Sequence, residues 1–209
     1  MNSLSKNFFI NYIIILSNFL FIFYGFYLIP ILSTLLGALI ALLLNKKKWV
    51  SVVFSYFYLA LPFYILIFLN NHFYNGQLII LWLLCIVCVS DSSAYIFGSI
   101  IKGKKLFPRI SPNKTWSGFL LSIIFSIFSS SCFSYFFNIT SFRKSIIIGL
   151  IIGLSASLGD LFESYLKRIN NKKDASKLIP GHGGLLDRLD GFLFAIVVMF
   201  FYVLLWSKF

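Results

Sequence analysis

From Phe8 to Trp206 the chain is a series of apolar runs, each about as long as the hydrocarbon core of a bilayer is thick. A helix needs about 20 apolar residues to cross that core. The runs predict seven spans: about Phe8–Tyr24, Phe26–Leu44, Val50–Leu69, Leu78–Ile101, Gly118–Phe137, Ser145–Tyr165 and Leu186–Trp206. The expected fold is all-α, a polytopic transmembrane helical bundle of about seven spans (six to eight). Only Gly25 and its neighbours part the first two runs, and Pro30 lies in the second. A tight hairpin and one long bent element are both open there. Residues 1–77 are expected to hold N-terminal spans, and residues 78–209 the region that carries the chemistry. Composition agrees with this class: 59% of residues are hydrophobic and 11% charged, where a soluble domain has about a quarter charged. No signal-peptide cleavage site, internal repeat or separable soluble domain is read.

The net charge is +12, and its distribution orients the spans. Lys46–Lys48, the Lys102–Lys114 loop and the Lys167–Lys177 loop fall on one side of a seven-span bundle. Arg143, Lys144 and Lys208 fall on the other. The positive-inside rule makes the rich side cytoplasmic. The expected place is the bacterial inner membrane, with the lipid bilayer as partner and no nucleic acid. Cys85 and Cys88 have C-x-x-C spacing, but they and Cys132 sit in apolar runs and read as small core residues.

Six acidic residues are all the chain has: Asp91, Asp160, Glu163, Asp174, Asp187 and Asp190. Acids used for solubility would be scattered, whereas five of these crowd one 31-residue stretch. Asp160, Glu163 and Ser164 stand at i, i+3 and i+4 on one helix face. Lys167 lies four residues past Glu163, so a helix-end ion pair accounts for Glu163 and leaves Asp160 unexplained. Asp187 and Asp190 share a face at the start of the last span. The helix dipole favours an acid at Asp187 but less so at Asp190, a turn deeper. Two carboxylate pairs at one depth are suited to a divalent cation with phosphate oxygens and water in its shell. Between them lies Pro180-Gly-His182-Gly183-Gly184, which is either a tight loop or a backbone cradle for phosphate.

Asp91 lies well inside the fourth span and needs a cation or metal nearby. After that span, Ser111, Lys114 and Thr115 supply hydroxyls and a cation of the kind a phosphate site uses. The basic run Lys102–Arg109 is open to an orientation signal or attraction to anionic lipid. His72, on the opposite side, reads as a loop residue.

Four segments together resemble the signature of the phosphatidate cytidylyltransferase (CDP-diacylglycerol synthase) family. They are Ser164-Tyr-Leu-Lys167-Arg168, Lys173-Asp174-Ala-Ser176, Pro180-Gly-His182-Gly183-Gly184 and Asp187-Arg188-Leu-Asp190. Asp91-Ser-Ser-Ala-Tyr95, Ser111-Pro-Asn-Lys114-Thr115-Trp116 and Gly159-Asp160-Leu-Phe-Glu163-Ser164 resemble further family motifs. The likeness runs from about Asp91 to the C-terminus. The chain is shorter than the family usually is, before Asp91, and Ser117 stands where an acid is common. The resemblance implies transfer of a cytidylyl group from CTP to phosphatidate, giving CDP-diacylglycerol and pyrophosphate. It implies Mg²⁺, with a second monovalent or divalent cation left open, and leaves a homodimer open. It assigns catalysis to Asp160, Asp187, Asp190, Lys167, Arg168 and His182. Substrate contacts go to Asp91, Ser111, Lys114, Thr115, Ser164, Lys173, Gly183, Gly184 and Arg188, and metal to Asp160, Glu163, Asp187 and Asp190.

Three rivals remain. A CTP-dependent lipid kinase would move the γ-phosphate instead. An ion- or proton-coupled transporter also uses intramembrane acids, but along a path through repeated halves, and no repeat is seen. A CDP-alcohol phosphotransferase needs an aspartate-rich motif with D-G-x-x-A-R, which Asp190-Gly191 does not continue.

Overall fold

The structure is a computed structural model, and it describes residues 32–36, 39, 49–169 and 186–206. The first span and nearly all of the second, with Lys173, Asp174, His182, Gly183 and Gly184, lie outside the described residues, as do the side chains of Asp187 and Arg188. The chain divides into two compact units, Met1–Asn71 and His72–Phe209. Helix α1 (Trp49–His72), all but its last residue in the first unit, continues through Pro62. His72 is the last residue of that helix rather than part of a loop.

The second unit holds helices α2 (Gly76–Ile101), α3 (Trp116–Phe137), α4 (Phe142–Ile169) and α5 (Leu186–Trp206). Among the described residues α2, α3 and α4 are long and apolar enough to cross a membrane, and α5 has a shorter apolar stretch, Leu189–Leu205. At 1.5 Å per residue α4 is about 42 Å long, more than the roughly 30 Å hydrocarbon core requires. Its last turn carries Lys167 and Arg168. Within this unit α2 packs on α3, α3 on α4 and α4 on α5, and α2 also meets α4 and α5. The core is built from Trp82, Leu83 and Ile86 of α2, Ile148 and Ile152 of α4, and Ile196 and Met199 of α5, all nearly inaccessible.

Helix α3 is inverted relative to a soluble helix. Ser122, Ser126, Ser129, Ser130, Ser131 and Ser134 are buried, while Leu120, Ile124 and Phe128 are exposed. Small polar residues permit close backbone approach between membrane helices, and lipid accepts the apolar ones. The buried hydroxyls are satisfied. Ser126 donates to the Gly149 carbonyl at 2.9 Å and Ser130 to that of Ser145 at 2.7 Å. Trp82 Nε1–H reaches the Ser130 carbonyl at 3.1 Å.

The connection from α2 to α3 corrects the all-α expectation locally. Lys102 (φ 55°) and Gly103 (φ 116°) end α2 in a left-handed turn. Strands β1 (Lys105–Phe107) and β2 (Ser111–Thr115) then pair antiparallel, Lys105 opposite Thr115 and Phe107 opposite Ser111. Pro108 follows Phe107 in the turn, which the Ile110 N–H closes onto the Phe107 carbonyl at 3.1 Å. Proline at that position presets φ for a tight turn. Strands of three and five residues are too short for a hydrophobic pattern to announce them. The cysteines are free thiols, and Cys88 is exposed rather than in the core.

Candidate active site

Glycines set how closely the site-bearing helices approach. A Cβ on Gly159 of α4 would lie 2.7 Å from the Asp190 carbonyl oxygen, and one on Gly191 of α5 would lie 3.1 Å from that of Ala156. Only residues without a side chain permit this crossing, and it sets Asp160 and Glu163 beside Asp190. Gly118 plays the same part for α2 and α3, its Cβ position lying 2.6 Å from the Ala94 carbonyl oxygen.

The hairpin delivers the cation. Thr115 caps α3, its hydroxyl accepting the Gly118 N–H at 3.2 Å, and the Trp116 N–H bonds to the Lys104 carbonyl at 3.0 Å. Ser117 donates to the Lys102 carbonyl at 3.1 Å, a bond that a carboxylate at that position could not donate. At the far end Arg168 Nε donates to the Ile110 carbonyl at 3.1 Å, fastening the hairpin to the end of α4. So held, β2 places Lys114 Nζ 2.5 Å from Asp160 Oδ2. The cation that Asp160 lacks on its own helix comes from 46 residues earlier in the chain.

A cavity of about 50 Å³ lies here, bounded by Asp91 of α2, Leu106 of β1, Lys114 and Thr115 of β2, Phe119 of α3 and Asp160 of α4. That volume holds about four waters, enough for a phosphoryl-sized group. Asp91, Asp160 and Asp190 are close enough to repel one another, and Lys114 attracts both Asp91 and Asp190.

Next to this cavity, Glu163 keeps 2% of its surface and Asp190 8%, and their carboxyl groups are close enough to interact. Lys167 Nζ approaches Glu163 at 3.5 Å, four residues along α4. Asp190 also accepts its neighbour's Gly191 N–H at 2.7 Å. Two buried carboxylates in contact are unfavourable unless a proton or cation stands between them. Among the described residues no three His, Cys, Asp or Glu side chains form a compact metal site. The donors that do adjoin, Glu163 and Asp190, are hard oxygens of the kind Mg²⁺ takes.

The expected pair Asp160 and Glu163 is thus partnered across helices, and the pair of Asp187 with Asp190 lies partly outside the described residues. Asp160 pairs with Lys114, Glu163 with Lys167 and Asp190, and Asp91 joins the first group. Ser111 lies in β2 opposite Phe107 and does not line the cavity. Ser164 is half-buried on α4. Leu106, Phe119 and Ala94 line the cavity without having stood out in the sequence.

The residues that converge here are those of the motifs, and their pattern extends along the chain: the model of the cytidylyltransferase family matches residues 3–206. The chain belongs to the cytidylyltransferase family. It is 40% identical to the phosphatidate cytidylyltransferase of Rickettsia bellii over 150 residues, 68% of this chain and 64% of that one. To the Helicobacter pylori (strain J99) protein of the same name it is 32% identical over 185 residues, 86% of this chain and 68% of the other. The Bacillus subtilis phosphatidate cytidylyltransferase is 34% identical over 151 residues, covering 72% and 56%. The chain thus spans slightly less than two thirds of the Rickettsia bellii protein's length.

Proposed function

We propose that this cytidylyltransferase-family chain is a phosphatidate cytidylyltransferase, a nucleotidyltransferase of phospholipid biosynthesis that converts CTP and phosphatidate to CDP-diacylglycerol and pyrophosphate. What carries the reading is that residues of three separate motifs, Asp91, Lys114 with Thr115, and Asp160, line one phosphoryl-sized cavity, with Asp190 close by. The relatives' names supply the substrates.

The chemistry needs little acid–base help. The phosphate of phosphatidate is already anionic near neutral pH, so the barrier lies in bringing two highly charged phosphates together and in releasing pyrophosphate. Lys114 and Lys167 flank the carboxylates and offer charge to phosphate oxygens. Arg168, Lys173, His182 and Arg188 add donors around the same motif, with Ser111, Ser164, Gly183 and Gly184 shaping the substrate loops. Asp160, Glu163, Asp187 and Asp190 would hold Mg²⁺, which supplies neutralisation of phosphate charge and alignment of the reacting groups. Asp91 and Asp160, with Lys114 between them, keep the cavity polar and fix that lysine's position.

The bundle is read as about seven spans in a bacterial inner membrane, as a monomer or homodimer. The cation-rich end, with Lys102, Lys104, Lys105, Arg109, Lys167 and Arg168, faces the cytoplasm, where CTP is found. The test is purified protein in detergent with labelled CTP, phosphatidate and Mg²⁺. CMP-bearing lipid and pyrophosphate are expected. CDP release with a phosphorylated lipid would make the chain a kinase, and ion flux without nucleotide turnover would make it a transporter.

A further inference from the structure

The outer face of the β1–β2 hairpin has no part in the cavity. Along β1, Leu106 is half-buried and lines the cavity, whereas Lys105 and Phe107 are exposed, as the two faces of a strand require. Lys102, Lys104 and Arg109 are exposed as well. None of these four cations has an acidic partner among the described residues. Phe107 keeps 47% of its surface exposed and Trp116 49%.

The height of this face is set by hydrogen bonds. The Trp116 N–H bonds to the Lys104 carbonyl, and Lys105 pairs with Thr115. Lys104 and Lys105 are therefore level with the first residue of α3, a half-exposed tryptophan of the type enriched where membrane meets water. A three-residue strand rises about 10 Å from that level, close to the Debye length of about 8 Å at physiological ionic strength. Every cation of the hairpin is then within electrostatic reach of the headgroup layer, and lysine stems lie well along apolar surface. Span orientation accounts for basic residues in this connection. It does not account for Lys105 and Phe107 standing together on the face opposite the cavity-lining Leu106.

We propose that this basic and aromatic face seats on anionic phospholipid headgroups, so that lipid other than the substrate holds the Leu106–Lys114 roof over the cavity. Each cation near such a surface is worth about a fivefold gain in association.

The experiment reads lipid association rather than turnover, so it stands apart from the cytidylyl-transfer assay. The protein is placed in phosphatidylcholine bilayers with spin-labelled phosphatidylglycerol or spin-labelled phosphatidylcholine, and the motionally restricted fraction of each is compared. The wild type is expected to prefer phosphatidylglycerol severalfold, and to lose that preference in high salt. K104Q/K105Q/R109Q is expected to lose most of it, while K104R/K105R keeps it. The salt arm needs no variant, so a poorly folding triple mutant leaves the proposal open to refutation. Equal restriction of both lipids by the wild type overturns it. So does an unchanged preference in the triple variant, or a raised KM for CTP there with lipid preference intact, which would assign the face to the nucleotide.

Discussion

Two places in the second unit bury polar groups among apolar helices, and they solve the problem in opposite ways. At the α3–α4 seam the groups are neutral, and hydroxyls of Ser126 and Ser130 are met by carbonyls of α4. At the end where α2, α4, α5 and the hairpin converge, the groups are charged, and like charges are placed together: Glu163 against Asp190, with Asp91 and Asp160 close by. A seam that only has to hold would not assemble repelling carboxylates. Satisfied hydroxyls fit a structural seam, and crowded carboxylates fit the proposed catalytic end.

The sharpest way to break that contrast is to neutralise the crowded end. Asp190→Asn is expected to lower CTP turnover by about a hundredfold or more, and Asp187→Asn to act in the same direction. Thermal stability of Asp190→Asn should hold or rise, because removing one of two adjoining buried negative charges relieves repulsion, and the amide oxygen can still accept the Gly191 N–H. Turnover of labelled CTP and a thermal melt in detergent check both halves. A variant that melts early yet turns over normally would return Asp190 to the structural groups.

The Lys114–Asp160 pair sharpens the comparison further. Lys114→Met leaves Asp160 facing Asp91 and Asp190 without its cation, and turnover is expected to fall by about ten- to a hundredfold. Both side chains are partly exposed, so the stability change should stay within about 1 kcal/mol. Adding Asp160→Asn to Lys114→Met should cost less than the two single losses combined, since the residues act as a unit. Fully additive losses would show that they work separately.

Much of this end was legible in the sequence because its signals are rare. Six acids in an apolar chain draw attention to Asp160, Glu163 and Asp190, and motif spacing draws it to Lys114. What the sequence hid was the partnering. Helical spacing pairs Asp160 with Glu163, but the Gly159 and Gly191 crossing pairs Glu163 with Asp190, and a hairpin of very short strands carries Lys114 to Asp160. The serine face of α3 was hidden for another reason. Its apolar residues face lipid, so the run reads as uniformly hydrophobic and its inner face has no periodic apolar stripe.

The seam can be broken by overfilling it. A Cβ at Gly149 would sit 2.7 Å from Ile127 Cα and 2.9 Å from the Ser126 carbonyl oxygen, both backbone atoms that cannot rotate aside. Gly149→Ala gains about 1 kcal/mol in helix propensity against overpacking of about 1–3 kcal/mol. A net loss of up to about 2 kcal/mol is expected in a reversible unfolding titration, with turnover per folded molecule retained. Lost turnover in a stable protein would mean that the seam transmits strain to the charged end.

The smallest effect is expected from Ser130→Ala, and its smallness is what tests the contrast. The hydroxyl donates to the Ser145 carbonyl at 2.7 Å, and such side-chain bonds between membrane helices average about 0.6 kcal/mol. Deleting the hydroxyl removes a donor and strands no charge, and the Ser130 carbonyl still accepts Trp82 Nε1–H. The variant should lose about that much in the same titration and keep full turnover. If turnover instead fell as far as in Lys114→Met, the division between a neutral seam that holds and a charged end that reacts would fail.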